Sequence, residues 1–138
     1  YQGQEGFHRF YDDIYETVKE HGGEILINNV REELFSKWLG PNKSTTHRAR
    51  MKELNNFTMK ILVKEGDSNF TVSFYAEYRW TPIEYFENVS FYLYGHKLAF
   101  VIFDEIPEVY VISHGNLAEA YKKQFYLLWK ESIKPNEK

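Results

Sequence analysis

Residues 91–104 read Phe-Tyr-Leu-Tyr-Gly-His-Lys-Leu-Ala-Phe-Val-Ile-Phe-Asp, and this stretch decides the fold. Two runs of aromatic and branched residues, 90–94 and 97–104, are separated by Gly95-His96. Such residues favour β-strands, and a two-residue link that contains glycine is typical of a hairpin. A third run at 108–113 follows after three residues. The stretch therefore predicts three antiparallel strands joined by short turns.

The residues before these strands alternate between helix and strand patterns. Residues 5–21 place apolar side chains every three or four positions, as the buried face of a helix does. The segments that follow are a strand at 24–30, two helices at 31–39 and 44–55 on either side of Gly40-Pro41, and a strand at 57–65. Helix–strand–helix–strand order predicts parallel strands in an α/β layer.

The last part of the chain predicts one more helix on the sheet. Residues 115–133 place Phe125 and Trp129 on an apolar helical face. Asn116, with Glu119 three residues later, fits a capping box at the start of this helix. We therefore expect both aromatic side chains to be buried against the sheet.

The whole pattern predicts a single α/β domain, residues 1–138, in which a mixed sheet of about five strands is flanked by helices. Segment 66–89 is rich in aromatic residues and is predicted to be irregular; a connection of that length is usually functional or contains short elements of its own. The polar tail at 134–138 is predicted to fray. Because the chain begins at Tyr1 and not at a methionine, we expect it to be part of a longer protein.

Composition argues against several classes of function. The 138 residues contain no cysteine, which excludes disulfides, thiolate nucleophiles and cysteine-held metals. The net charge of −3 does not favour direct contact with nucleic acid. None of the five histidines has the spacing of a metal-ligand pair, and phosphate-loop motifs are absent. No apolar run approaches the ~20 residues that span a bilayer, so we expect no metal, no cofactor and no membrane association.

The second half of the chain resembles the second half of a phospholipase D-like unit, in which an H-x-K-x-x-x-x-D strand precedes a hairpin strand, a turn and a long helix. Its matching segments are 91–104, 111–116 and 125–129. The first half is similar to the sensor domains of bacterial and archaeal transcriptional regulators of the TrmB-like kind, which share that fold. Its matching segments are 1–7, 24–29, 48–52 and 60–64. The resemblance covers almost the whole chain.

This resemblance implies a ligand-sensing domain, without catalytic activity, in a cytoplasmic transcriptional regulator. DNA would then be bound only through an N-terminal helix-turn-helix module outside this chain. Units of this fold commonly pair about a two-fold axis, which together with the 18% aromatic content implies a homodimer. A dimerisation or protein-interaction module without a ligand is the alternative from another functional class.

The catalytic motif of phospholipase D-like enzymes is incomplete in this chain. If Lys97 takes the place of the motif lysine, the histidine position holds Gly95 and the aspartate position holds Ile102. The histidine is the nucleophile of those enzymes, so the resemblance implies no phosphodiesterase activity. His96 is one position away, and strand alternation predicts that it points to the opposite face. A phosphodiesterase with a degenerate motif, using His96 or His114, is the remaining alternative.

Three residues have both a binding and a structural interpretation. Lys97 is either a surface lysine at the start of a hairpin or the contact for an anionic group of a ligand. Arg79, next to Trp80, either stacks its guanidinium on an aromatic wall of the site or lies in solvent beside a buried tryptophan.

The ends of the predicted parallel strands supply the other candidate ligand residues. In α/β sheets, ligands bind in the crevice outside the carboxyl ends of the strands. Asn28 and Asn29 end the first strand, and Lys64 and Glu65 end the second. We therefore expect a small-molecule ligand, such as one with an anionic group, to bind at these residues under a lid formed by the aromatic loop 74–86.

Overall fold

The computed structural model describes residues 1–135, and within them an α/β fold contains three helices and six strands. The elements in chain order are α1 Gly3–His21, β1 Gly23–Val30, α2 Glu32–Glu53, β2 Phe57–Lys64, β3 Glu77–Thr81, β4 Val89–Tyr94, β5 Lys97–Phe103, β6 Pro107–Ser113 and α3 Gly115–Lys130. A 3₁₀ turn at Ile83–Tyr85 follows β3. The prediction that the polar tail frays lies partly outside the described residues, because these end at residue 135.

The six strands form one mixed sheet in the order β3-β2-β1-β4-β5-β6. Strands β1, β2 and β3 are parallel, whereas β4, β5 and β6 form the antiparallel part that the two short links predict. The mixed sheet is confirmed, with six strands where about five were predicted. The additional strand, β3, lies in the segment predicted to be irregular, because a five-residue strand at a sheet edge leaves only a short alternating pattern.

Helices cover both faces of the sheet. Alternation along β1 directs Ile25 and Ile27 towards α1 and α2, and directs Leu26 towards α3. The apolar face of α1 packs on the first of these sheet faces, as its sequence pattern predicts. On the other face, Phe125 is 0% exposed and Trp129 is 7% exposed, so the prediction that α3 packs on the sheet is confirmed.

Two local features test the sequence prediction. The two helices predicted on either side of Gly40-Pro41 are the two arms of α2, which is interrupted where Gly40 has a non-helical φ of 77°. The N-cap of α3 is His114, not Asn116, because the His114 Nδ1 atom accepts a hydrogen bond from the Leu117 backbone N–H at 3.3 Å. A histidine ring nitrogen supplies the acceptor here that the capping pattern assigned to an asparagine.

Candidate functional site

The structure does not bring the predicted ligand residues into one site. Lys97 begins β5 and pairs with Tyr94, which pairs with Ile25 near the start of β1. Asn28 and Lys64 lie at the opposite end of the sheet, where β1 and β2 finish. The separation follows from the strand directions. Because β4 runs antiparallel to β1, β4 ends beside the start of β1, and β5 therefore begins at the end of the sheet opposite Asn28 and Lys64.

Lys97 forms an ion pair and a hydrogen bond with residues of α1. Its Nζ atom lies 2.8 Å from the Asp13 Oδ1 atom and 3.0 Å from the Thr17 Oγ1 atom on α1. Tyr94 donates its hydroxyl to the other carboxylate oxygen of Asp13 at 2.6 Å. An anionic ligand group at Lys97 would have to compete with this internal carboxylate, so the geometry does not favour that interpretation.

His96 lines two clefts, one that Lys97 also lines and one beside α3, so strand alternation does not assign it to a single face. It belongs to the turn between β4 and β5, where the alternation of a strand does not apply. Its ring centroid lies 5.8 Å from that of His21, at the end of α1, in a shallow cleft that Lys97 also lines. His114, the third histidine considered, caps α3.

Arg79 stacks on an aromatic ring, but not on that of its neighbour Trp80. Adjacent residues of β3 point to opposite faces, so the Arg79 guanidinium lies 4.4 Å from the ring centroid of Trp129 on α3. The Arg79 Nη1 atom also donates to the Trp129 carbonyl at 3.3 Å. Trp80 donates its ring N–H to the Asp67 carbonyl at 2.8 Å. Both side chains therefore join parts of the fold to each other. The predicted stacking of the Arg79 guanidinium on an aromatic ring is present, with Trp129 as the ring.

The residues at the ends of β1 and β2 have structural partners of their own. Asn29, with a φ of 56°, donates its side-chain amide to the Val89 carbonyl at 3.1 Å and anchors the start of β4. Asn28 is buried, and its side-chain oxygen has no hydrogen-bond partner among residues 1–135. Lys64 is exposed and Glu65 accepts the Ile83 backbone N–H at 3.2 Å, both beside an open surface cleft. None of these four residues lines the cavity between the sheet and α2 that is described below.

The predicted lid, residues 74–86, contains a strand of the sheet and a 3₁₀ turn. Its central residues are β3, which pairs with β2 along its whole length. A strand held in this way cannot open as a loop does. One residue of the segment, Tyr75, does cover the cavity described next.

A small, partly open cavity lies between the sheet, the helices α1 and α2, and the connection that precedes β3. We call it the Glu32 cavity. The polar side chains that line it are Tyr11, Glu32, Ser36, Ser44, His47, Arg48, Thr71, Tyr75 and Tyr92. Its volume is about 50 Å³, which at ~10–15 Å³ per water corresponds to a cluster of about four waters.

Glu32 is a buried acid without a basic partner. Its residue is 7% exposed, and its carboxyl group accepts hydrogen bonds from the Thr71 hydroxyl at 2.8 Å and the Tyr78 hydroxyl at 3.2 Å. Burial raises the pKa of Glu32 to about 7 against the opposing effect of these two hydrogen bonds, and the nearby acids Asp67 and Glu33 raise it further. Within residues 1–135, Glu32 forms no ion pair.

Three tyrosines surround this carboxyl group. Burial raises the pKa of Tyr11, Tyr75 and Tyr92, and the negative charge of Glu32 adds to each increase, so all three hydroxyls stay protonated at neutral pH. Across the described part of the chain, no hydrogen-bond partner is found for these hydroxyls. They are therefore available to a molecule inside the cavity.

His47 adds a neutral nitrogen donor to the cavity wall. Burial, together with the positive charges of Arg50 and Lys43, lowers the pKa of His47 to about 3. The His47 Nδ1 atom accepts a hydrogen bond from the Arg50 Nε atom at 3.2 Å, which places the imidazole proton on Nε2. The ring packs edge-on against Tyr11 with centroids 4.7 Å apart.

Glu32 and His47 are not among the site residues predicted from the sequence, although their positions on a helix face gave a signal. Glu32 has the spacing of the buried residues Phe35 and Leu39, so an acid occupies the apolar face of α2. His47 likewise lies one turn before the buried Met51. A titratable residue on the buried face of a helix is the pattern that points to this cavity.

Residues 1–135 contain no group of three or more acidic or histidine side chains arranged to hold a metal ion. Over the same range, every helix is too short or too polar to cross a membrane.

Comparison with known proteins supports the fold. No family model matches the chain, and no curated protein matches it. Among solved structures, it is similar to TrmBL2, an archaeal chromatin protein described as showing a novel mode of DNA binding, with a TM-score of 0.59 and 14% sequence identity. The similarity covers 97% of this chain and 52% of that chain. This chain therefore has a TrmB-like fold and spans about half the length of that protein.

Proposed function

We propose that this chain is the ligand-sensing domain of a cytoplasmic transcriptional regulator and that its ligand binds in the Glu32 cavity. The observation that carries the proposal is the buried residue Glu32, which forms no ion pair and lines a cavity together with Tyr11, Tyr75 and Tyr92. A buried acid without a basic partner destabilises a fold, so its retention at a cavity favours a binding role. The fold shared with a DNA-binding chromatin protein supports a role in regulation.

DNA contact belongs, in this proposal, to an N-terminal module outside the chain. The net charge of −3 supports this assignment, because DNA binding draws on a surplus of basic residues. A bound ligand would connect three parts of the fold, since the cavity is bounded by α1, by α2 and by the connection that carries Thr71 and Tyr75. Stabilising one arrangement of these parts is how a ligand could alter a neighbouring module.

The proposed domain is not catalytic. Gly95 and Ile102 stand at the positions where a phospholipase D-like enzyme has its histidine and aspartate. The remaining lysine of that motif, Lys97, is paired with Asp13. These features support an origin in a phospholipase D-like fold that has lost its chemistry.

A small-molecule screen with matched variants tests the proposal. Tyr92→Phe removes one cavity hydroxyl and keeps the ring, whereas Tyr110→Phe makes the same change on an exposed tyrosine of β6. We expect at least one class of small molecule to raise the melting temperature of the wild-type chain and of Tyr110→Phe by several degrees, with a reduced response in Tyr92→Phe. Equal responses in the two variants, or no response to any charge class of ligand, would contradict a sensing role for this cavity.

A homodimer is a second proposal, and an exposed apolar patch favours it. Tyr85, Leu127 and Leu128 are exposed and lie together beside Pro82, between the 3₁₀ turn and α3. Apolar side chains grouped on a surface are typical of an interface, and a second copy of the chain would bury both patches symmetrically. Sedimentation equilibrium should show a dimer at micromolar concentration that Leu127→Asp dissociates. A 16.6 kDa monomer at ~100 μM would reject the dimer.

A further inference from the structure

The strongest unassigned feature of the molecule is the charge inside the Glu32 cavity. Glu32 is 7% exposed, and its carboxyl group has two hydroxyl donors but no cation. Asp67 and Glu33 are the nearby charges that act on it, and both are acidic. An isolated carboxylate is costly to bury, whereas one that meets a positive charge and hydrogen-bond donors is not.

Arg48 is the basic residue that lines the cavity, whereas Arg50 and Lys43, farther from it, are committed to other partners. Arg50 lies 3.0 Å from Asp12 and also donates to the Tyr11 carbonyl at 3.1 Å. Lys43 pairs with the same carboxylate of Asp12. Arg48 lies on the side of Tyr75, where its charge lowers the pKa of that tyrosine, and it is not among the groups that act on Glu32. Within residues 1–135, Glu32 therefore has no ion-pair partner, although Arg48 lines the same cavity.

The walls of the cavity are suited to a cation. Tyr11 and Tyr92, each more than nine-tenths buried, line it together with Tyr75. Aromatic ring faces attract cations, and the attraction is larger where water is excluded. The unpaired hydroxyls of these tyrosines are an observation independent of the acid, and they add acceptors for the N–H groups of a bound molecule.

We propose that the Glu32 cavity binds the ammonium group of a small primary amine or amino acid, with Glu32 as the counter-ion and the tyrosine rings as the cage. This inference rests on the proposed function and names the chemical class of its ligand. The volume of about 50 Å³ limits the part of the ligand inside the cavity to about five non-hydrogen atoms. An amino acid would in addition bring a carboxylate towards the side of the cavity lined by Arg48 and His47.

Backbone amide shifts in NMR spectra of the wild-type chain test where the ligand binds. The probes are methylammonium chloride for a simple amine, glycine for an amino acid, acetamide for a neutral molecule and sodium acetate for an anion, with potassium chloride as the ionic-strength control. We expect saturable shifts at the amides of residues 32, 71, 75 and 92 with methylammonium or glycine only. For a ligand as small as methylammonium, a Kd of about 10 mM is near the limit set by its atom count.

Two matched variants test the role of the charge. Glu32→Gln keeps the size of the side chain and removes its charge, and Glu33→Gln makes the same change on the exposed neighbour. We expect Glu32→Gln to weaken binding at least tenfold and Glu33→Gln to change it less than twofold. Comparison of the variants' amide spectra with that of the wild type shows whether each is folded. If Glu32→Gln does not fold, Tyr92→Phe replaces it and should reduce ammonium binding at least threefold.

The outcomes separate this inference from the proposed function. Cavity shifts with acetamide or acetate, and none with the two ammonium probes, would overturn the ammonium assignment and leave the sensing proposal standing. Shifts with no probe at 100 mM of each compound would overturn both. Stronger binding of glycine than of methylammonium would identify an amino acid as the source of the ammonium group, and the reverse order would identify an amine.

Discussion

The buried acid makes a definite prediction about how stability depends on pH. Glu32 has an ordinary pKa of 4.5 in the unfolded chain and a pKa of about 7 in the fold. Because the folded-state value is the higher one, the fold favours the protonated carboxyl group. Below pH 4.5, Glu32 therefore does not lower the free energy of unfolding. Its contribution lowers that free energy as the pH rises from 4.5 to 7 and is constant at higher pH.

The size of this effect follows from the two pKa values. They differ by about 2.5, and each unit corresponds to about 1.4 kcal/mol, so ionised Glu32 destabilises the ligand-free fold by about 3 kcal/mol above pH 7. Glu32→Gln has the same shape and no charge to bury. Between pH 4.5 and pH 8, we expect the free energy of unfolding of the variant to rise by about 3 kcal/mol relative to that of wild type. This change is independent of any difference between the two proteins at pH 4.5.

The comparison with Glu32→Gln separates the effect of Glu32 on stability from the opposite effect of His47. Burial lowers the pKa of His47 from 6.5 to about 3, so His47 makes the fold more stable as the pH rises from about 3 to about 6.5. Wild type and Glu32→Gln share this contribution, and it cancels in their difference. The wild-type curve alone would show the sum of two opposing effects.

Urea unfolding followed by circular dichroism at pH 4.5, 6, 7 and 8 measures the difference. Acetate and phosphate buffers are required, since an amine buffer would itself be a ligand candidate. A stability difference that does not change with pH, or a wild type that gains on the variant as the pH rises, would refute the account of Glu32 as a buried acid without a cation.

Two further predictions concern the fold. Trp129→Ala should destabilise the chain by ~3–5 kcal/mol, because the ring packs on Phe125 and under the Arg79 guanidinium, whereas Gln124→Ala on the exposed side of α3 should change stability by less than ~1 kcal/mol. Equal losses in urea titrations would contradict the placement of α3. Gly40→Ala, at a φ of 77°, should cost ~1–2 kcal/mol, whereas Ala in place of the helical glycine at position 115 should stabilise α3 by up to ~1 kcal/mol. A gain at Gly40 in thermal unfolding would show that the kink is not required.

The cavity connects stability with sensing. A ligand that supplies the missing positive charge removes the destabilisation caused by ionised Glu32. It therefore stabilises the folded state relative to the unfolded state. Its effect on stability should then be larger above pH 7 than at pH 4.5, where the carboxyl group is already neutral. This couples occupancy of the site to the rigidity of α2 and of the connection before β3, which are the parts of the wall that carry Glu32 and Thr71.

The sequence by itself determined the class of fold and the positions of most elements. Apolar spacing of 3.6 residues identifies α1 and α3, and runs of branched and aromatic residues identify five of the six strands. These patterns are local, because a helix or strand of this length buries one face against any neighbour. The links between β4, β5 and β6 are short enough to require antiparallel pairing, and this too can be read from the sequence.

Only the tertiary structure decided which side chains meet. Lys97 and Asn28 were both candidate ligand residues, and the antiparallel direction of β4 places them at opposite ends of the sheet. Arg79 finds its aromatic partner, Trp129, 50 residues further along the chain. The contact between Glu32 and Tyr78 likewise spans 46 residues and depends on how α2 and β3 both pack against β2 and its neighbours. Partners so distant in sequence are set by the order and direction of the strands, which no local pattern of residues encodes.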